Sequence, residues 1–235
     1  MLESKNLSEN KNNCKKTVHF KCPKCQDTGY IIEGNFATPC ECLKARQTEK
    51  NLKRASFNAL FADKDFTNYK VVLNGHKVLK DRCIAFTKQD ECKALMILGS
   101  VGCGKTHLAV ATLKELAKTK IVDAVSYVEL VRKLSANALD EESYYKILGK
   151  YTDVECLLID DLFKGKVTEA NAKQMYELIN ARYVNNRTTI VTSEHVSKKL
   201  LDIDEATASR LLQMSGKKYL LDITKLKNYR LESEY

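Results

Sequence analysis

Residues Gly99-Ser-Val-Gly-Cys-Gly-Lys105-Thr106 satisfy the spacing G-x-x-x-x-G-K-[ST] in full. That pattern suits one chemistry, the cradling of a nucleotide's phosphates. Gly99, Ser100, Val101, Gly102, Cys103 and Gly104 would curl backbone N–H groups around the phosphate oxygens, and the following helix N-terminus adds partial positive charge. Lys105 would reach the β- and γ-phosphates, and the Thr106 hydroxyl would coordinate Mg²⁺. For Cys103, a small filler is a better reading than an oxidation site. About 55 residues downstream, Cys156-Leu-Leu-Ile159-Asp160-Asp161 is an apolar run ending in two carboxylates. Standing alone, such a pair reads as a turn or helix cap. Following a complete phosphate-binding loop, Asp160 would hold Mg²⁺ and Asp161 would orient and deprotonate the attacking water.

A second kind of chemistry sits near the N-terminus. Cys22-Pro-Lys-Cys25 is a tight pair, and Cys40-Glu-Cys42 follows. Four thiolates in two pairs suit a structural, tetrahedral Zn²⁺ site with no open position for catalysis. An iron–sulfur cluster and four free thiols are the alternatives, and Cys14 and His19 are weaker candidate ligands. Gln26 to Asn35 between the pairs reads as a hairpin. So small a module has too little apolar content to fold without a metal.

These groups need elements to position them. Ala94–Leu98 is a short apolar run ending at a glycine, as in a buried parallel strand. The spacing of Leu108, Leu113, Leu116 and Ala117 predicts a helix over 106–118. Further strands are expected over 124–128, 154–159, 188–192 and 218–223, and helices over 129–137, 171–183 and 205–214. Strands alternating with helices imply a parallel sheet covered on both faces. A strand and helix lie between the two phosphate-site motifs in the chain. They are expected to put an extra strand between the motifs in the sheet, which by analogy of fold marks the ATPase branch rather than the nucleotide kinases.

The 235 residues leave room for one medium domain and a small module, with a boundary expected near residue 55. Residues 1–18 are polar and expected to be loosely ordered, residues 19–55 form the cysteine module and a linker helix, and residues 56–235 form the ATPase domain. No apolar run approaches a membrane span and the N-terminus is no secretory signal, so a cytoplasmic location is expected. Nine cysteines without a secretory context argue against disulfides. The net charge of +9 suggests an acidic partner, but residues 1–55 hold 11 Lys and Arg against 6 Asp and Glu, so +5 of it lies ahead of the ATPase domain.

CPKCQDTGYI with the later CEC, FADKDFTNYK, GSVGCGKTHLA, LLIDDLFKGK, INARYVNNRTTIVTSE, DIDEATASRLLQM and NYRLE together resemble the DnaC/DnaI group of helicase loaders, within the DnaC/IstB class of AAA+ ATPases. The closest likeness is to loader-like replication proteins of Gram-positive bacteria and their phages. The resemblance implies an α/β AAA+ P-loop core with a parallel sheet and no separate lid domain, preceded by a small zinc-binding module. It implies ATP, Mg²⁺ and Zn²⁺ as cofactors, and an ATP-dependent homo-oligomer that places a DnaB-type replicative helicase on single-stranded DNA. By the same resemblance His107 and Phe66 join the nucleotide site, with Phe61, Phe66 and Tyr69 near the adenine. Ser193 and Glu194 occupy the sensor 1 position, Arg210 would complete a neighbour's ATP site, and Arg230 would be a sensor 2 arginine. The group usually ends sensor 1 in Ser-Asn. Glu194 would repel a γ-phosphate, which leaves sensing to Ser193 or Thr192, or slows hydrolysis. Lys164 and Lys166 are candidates for DNA contact, against a solvated loop. The other functional readings are an IstB-like transposition helper, a non-hydrolysing ATP-binding zinc adaptor and a small-molecule kinase.

Overall fold

The computed structural model describes residues 20–34, 36–54 and 63–223. The chain divides into two compact units, the first ending at Leu43 and the second starting at Lys44. The division falls earlier than residue 55 because the linker helix from Lys44 onward belongs to the larger unit. Helix α1 (Glu41–Arg54) carries Asn51, whose buried amide donates to Ala117 O and Lys120 O, both at 2.9 Å.

In the smaller unit, β1 (Tyr30–Glu33) and β2 (Phe36–Pro39) pair antiparallel, with Tyr30 opposite Pro39 and Glu33 opposite Phe36. The hairpin therefore starts later than the sequence suggests. Residues 25–29 are spent on a turn: Thr28 N donates to Cys25 O at 3.0 Å, and Gln26 and Asp27 have φ of 48° and 68°.

The larger unit is built on five parallel strands: β3 (Ala94–Leu98), β4 (Val122–Ser126), β5 (Cys156–Asp160), β6 (Thr188–Ser193) and β7 (Leu220–Asp222). Their spatial order is β4-β5-β6-β3-β7. The extra strand between the two phosphate-site motifs is thus present, but it is β6, which follows both in the chain. The strand expected there, β4, lies at the sheet edge. Residues of β3 alternate between two cores, Leu95 and Ile97 on one side and Met96 and Leu98 on the other, so both faces are covered.

Helices α2 (Asn74–Phe86) and α3 (Lys105–Leu116) lie against the first core, and Leu52 of α1 packs on it. The second core takes α4 (Tyr127–Ala136), α5 (Glu141–Asp153), α6 (Glu169–Val184), the short α7 (Ser197–Ile203) and α8 (Glu205–Ser215). Arg182 of α6 is fully buried at the base of this layer. Its guanidinium donates to Tyr151 O at 2.7 Å, Val154 O at 2.9 Å, Thr189 Oγ1 at 3.0 Å and Thr188 O, which ties the end of α5 to the starts of β5 and β6. Burial lowers its pKa to about 10. Among the described residues no helix is long and apolar enough to cross a membrane.

Candidate nucleotide and metal sites

The phosphate-binding loop runs from the end of β3 into α3, and its glycines answer to neighbours as well as to ligands. A side chain at Gly99 (φ 150°) would sit 2.7 Å from Ile223 Cγ1 and 2.8 Å from its carbonyl carbon. One at Gly104 (φ 89°) would meet the Tyr69 ring at 3.0 Å. Cys103 fills the space beneath the loop, fully buried, and its thiol donates to Ser100 O at 2.8 Å. Burial raises its pKa, which fits a filler and not a reactive thiolate. Lys105 Nζ donates to Gly99 O at 2.8 Å and Ser100 O at 2.7 Å.

A cavity of about 690 Å³ opens over this loop. Val101, Gly102, Gly104, Lys105, Thr106 and His107 line one side, the 64–72 segment another, and Asp161, Lys164 and Glu194 the third. His107 anchors the 64–72 segment: its Nε2 lies 2.8 Å from Asp65 O and 3.0 Å from Asn68 Oδ1, so that nitrogen carries the proton. Burial holds the imidazole below its ordinary pKa. Lys114 of α3 adds an ion pair to Asp65 at 3.1 Å. Of the aromatic residues expected near the adenine, Tyr69 lines the cavity, edge-on to His107 at 5.2 Å. Phe66 instead packs against the first core, and Phe61 lies outside the described residues.

The acidic pair meets the loop as the spacing predicts. Thr106 Oγ1 lies 3.0 Å from Asp160 Oδ1 and 3.2 Å from Oδ2. Two neighbouring ligands of an octahedral Mg²⁺ with bonds of about 2.05 Å stand roughly 2.9 Å apart, so this oxygen pair fits that ion. Thr192, at the end of β6, donates to Asp160 Oδ1 at 2.6 Å and accepts from Asp161 N at 2.8 Å. Burial pushes the Asp160 carboxyl above its ordinary pKa, and the Asp161 charge adds to this; hydrogen bonds from Thr192 and Thr106 pull the other way. Asp161 takes a left-handed backbone (φ 56°), rare for a residue with a side chain and characteristic of functional turns. Its carboxylate pairs with Lys164 Nζ at 2.6 Å, which holds the ammonium above its ordinary pKa.

Other candidates fall in different places. Ser193 is fully buried and its hydroxyl donates to Leu162 O at 2.8 Å, so it braces the loop after β5 and does not face the cavity. Thr192 is the polar group of β6 that touches the acidic pair. Lys164 and Lys166 are both exposed, and of the two Lys164 lines the cavity. Arg210 of α8 does not line this cavity. Its Nε donates to Asn180 Oδ1 at 2.9 Å, and its guanidinium lies 4.8 Å from the Tyr176 ring centroid. Arg230 lies outside the described residues. Sequence reasoning missed Asn68 and Lys70 as lining residues. Their only signal was nearness in the chain to Tyr69.

In the smaller unit, the Sγ atoms of Cys22, Cys25, Cys40 and Cys42 all lie within 4.8 Å of one another. Cys22 and Cys40 are 3.8 Å apart and Cys25 and Cys42 3.3 Å, too far for disulfides. A tetrahedral Zn²⁺ with Zn–S bonds of about 2.3 Å sets its sulfurs roughly 3.8 Å apart. The cluster therefore fits one zinc ion and is too tight to enclose several irons. Gly29 N donates to Cys25 Sγ at 3.4 Å, an outer-shell bond of the kind that orients a ligating sulfur. Cys14 and His19 lie outside the described residues.

Comparison with known proteins agrees with this geometry. The phage-like element PBSX protein XkdC of Bacillus subtilis (strain 168) is 28% identical over 212 residues, 83% of this chain and 79% of that protein. Among solved structures, the DnaC helicase loader matches with a TM-score of 0.64 and 24% identity over 71% of this chain and 100% of that one. The replication initiator DnaA bound to AMPPCP and single-stranded DNA matches with a TM-score of 0.57 and 22% identity over 71% of this chain, which spans only 51% of that one. These two likenesses are of fold, an α/β core with a parallel sheet as in AAA+ domains. The profile of the family described as "IstB-like ATP binding protein" matches residues 40–219, from the second cysteine pair to the last strand, and the chain belongs to that family of ATP-binding proteins.

Proposed function

We propose that this chain is an ATPase that helps place a DnaB-type ring helicase on single-stranded DNA, acting as an ATP-dependent homo-oligomer. The observation that carries the ATPase reading is a cavity over a complete phosphate-binding loop lined by Thr106 and Asp161, with Asp160 3.0 Å from the Thr106 hydroxyl. Lys105 and the loop N–H groups would hold the β- and γ-phosphates. Thr106 and Asp160 would hold Mg²⁺, which offsets phosphate charge. Asp161 would take the proton from the attacking water, with Thr192 fixing its backbone. Arg210, outside its own cavity, would complete a neighbour's. The loader role is supported by the fold shared with the DnaC helicase loader and by the four-cysteine module, which would serve partner binding.

The test is co-purification with the host's replicative ring helicase, with and without ATP, using wild type and Lys105→Ala. ATP-dependent recovery of the helicase by wild type, lost together with ATP turnover in Lys105→Ala, is expected. Unchanged turnover in Lys105→Ala would sink the assignment of the loop. The IstB-like family profile favours a second reading, a transposition helper, and recovery of a transposase in place of the helicase would establish it.

A further inference from the structure

The γ-phosphate end of the cavity carries an unusual charge balance. Two carboxylates of its lining, Asp161 and Glu194, face the end where a triphosphate would bring its most negative group, and Asp160 is bonded to Thr106 beneath them. On the loop side, Lys105, bonded to Gly99 O and Ser100 O, would turn to the phosphates, and Mg²⁺ on Thr106 and Asp160 would offset part of their charge. Lys164 is the other cation on this side. It is bonded to Asp161 at 2.6 Å and lies in the field of Glu194 and Asp160 as well.

The chain builds this placement deliberately. Asp161, Phe163 and Gly165 all take positive φ, at 56°, 60° and 82°, so the loop after β5 doubles back. Lys164 N donates to Asp161 O at 3.1 Å. Phe163 beside it is fully buried, edge-on to Tyr127 at 5.6 Å, and its carbonyl lies 3.1 Å from His195 Nε2. The backbone of Lys164 is therefore fixed on both sides, and its ammonium is directed to the acidic rim. A solvated, DNA-seeking lysine would need none of these constraints.

We propose that Lys164 determines specificity for nucleoside triphosphate over diphosphate: it neutralises Asp161 and Glu194 at the cavity rim and so admits the γ-phosphate. This rests on the nucleotide reading of the cavity and adds that Glu194 and Lys164 work as a pair. Without Lys164, the γ-phosphate would face uncompensated acids, while a diphosphate, which stops short of them, would be little affected. One lost charge interaction of this kind is about tenfold in affinity.

The experiment measures Mg²⁺-dependent binding of ATP and ADP to the full chain by calorimetry, for wild type, Lys164→Met, Lys164→Arg, Glu194→Asn and Lys164→Met/Glu194→Asn. Lys164→Met should weaken ATP about tenfold and ADP less than twofold. Lys164→Arg should keep the wild-type ratio. Glu194→Asn should tighten ATP, and the double variant should recover most of the loss. A purely structural lysine would weaken both nucleotides alike. An unchanged ATP-to-ADP ratio in Lys164→Met, or a double variant as weak as the single, overturns the proposal and leaves the nucleotide site standing. Wild type binding neither nucleotide overturns both.

Discussion

One hydroxyl does more at this site than any carboxylate. Thr192 Oγ1 donates to Asp160 and accepts from Asp161 N, so a single oxygen sets the side chain of one acid and the backbone of the next. The phosphate-binding loop was legible because its contacts are local and its glycine spacing is required by the ligand. The Thr192 bridge was only half legible, since Thr192 and Ser193 look alike in sequence and differ in which way β6 turns them. Lys164 stood as a candidate for DNA contact because the three positive φ angles that bring its ammonium to Asp161 leave no mark in composition. Arg182 shows the same gap: the helical spacing places it among Met175, Leu178 and Ile179, but nothing announces that backbone carbonyls, and no carboxylate, would satisfy it. Replacing Arg182 by Ala would orphan those buried carbonyls, at about 1–3 kcal/mol each before compensation by water. We expect a loss of at least about 3 kcal/mol in denaturant unfolding. A loss below 1 kcal/mol would mean that the carbonyls find other donors.

At the scale of elements, the strands were easier to read than the helices. β3 matched its apolar run residue for residue because both neighbours are strands and both faces are buried. β4 starts and ends two residues before the run suggests. Ser126 closes it by accepting from Glu129 N at 3.2 Å, which makes the buried Tyr127 the first residue of α4. Helices α2 and α5 and the short α7 escaped notice. In α2 the buried face is His76, Leu79, Cys83 and Phe86, an apolar stripe interrupted by a histidine. α5 buries only Leu148 and Tyr151. α6 and α8 form a platform in which Asn180 and the Tyr176 ring hold the Arg210 guanidinium, half-buried, in one orientation. If Arg210 serves a neighbour's ATP from this platform, inactive Arg210→Ala and inactive Lys105→Ala proteins should regain part of the turnover when mixed, because hybrid interfaces carry one intact site. No recovery at any ratio would remove Arg210 from catalysis.

For the whole molecule, the two units draw their stability from different sources. The smaller has two four-residue strands and four clustered thiols. A structural zinc would supply on the order of 10 kcal/mol there. The larger has two apolar layers around its sheet, built from residues beyond Lys44. Metal analysis should find about one zinc per chain. A zinc-selective chelator, with Mg²⁺ kept in excess, should unfold the cysteine module and leave ATP affinity within about twofold of wild type. A Cys22→Ser variant that keeps a full zinc would refute the ligand set, and loss of ATP binding on chelation would show the larger unit to depend on the smaller. The sheet order bears on how a ribosome would make this protein. Among the described residues β3 pairs with β6 and β7, and β4 and β5 reach it through β6. Until residues 188–193 emerge, the strand bearing the phosphate loop and the strand bearing Asp160 have no common neighbour. A nascent chain therefore carries both halves of its nucleotide site from the end of β5 at Asp160 until β6 at Thr188–Ser193 sews them together.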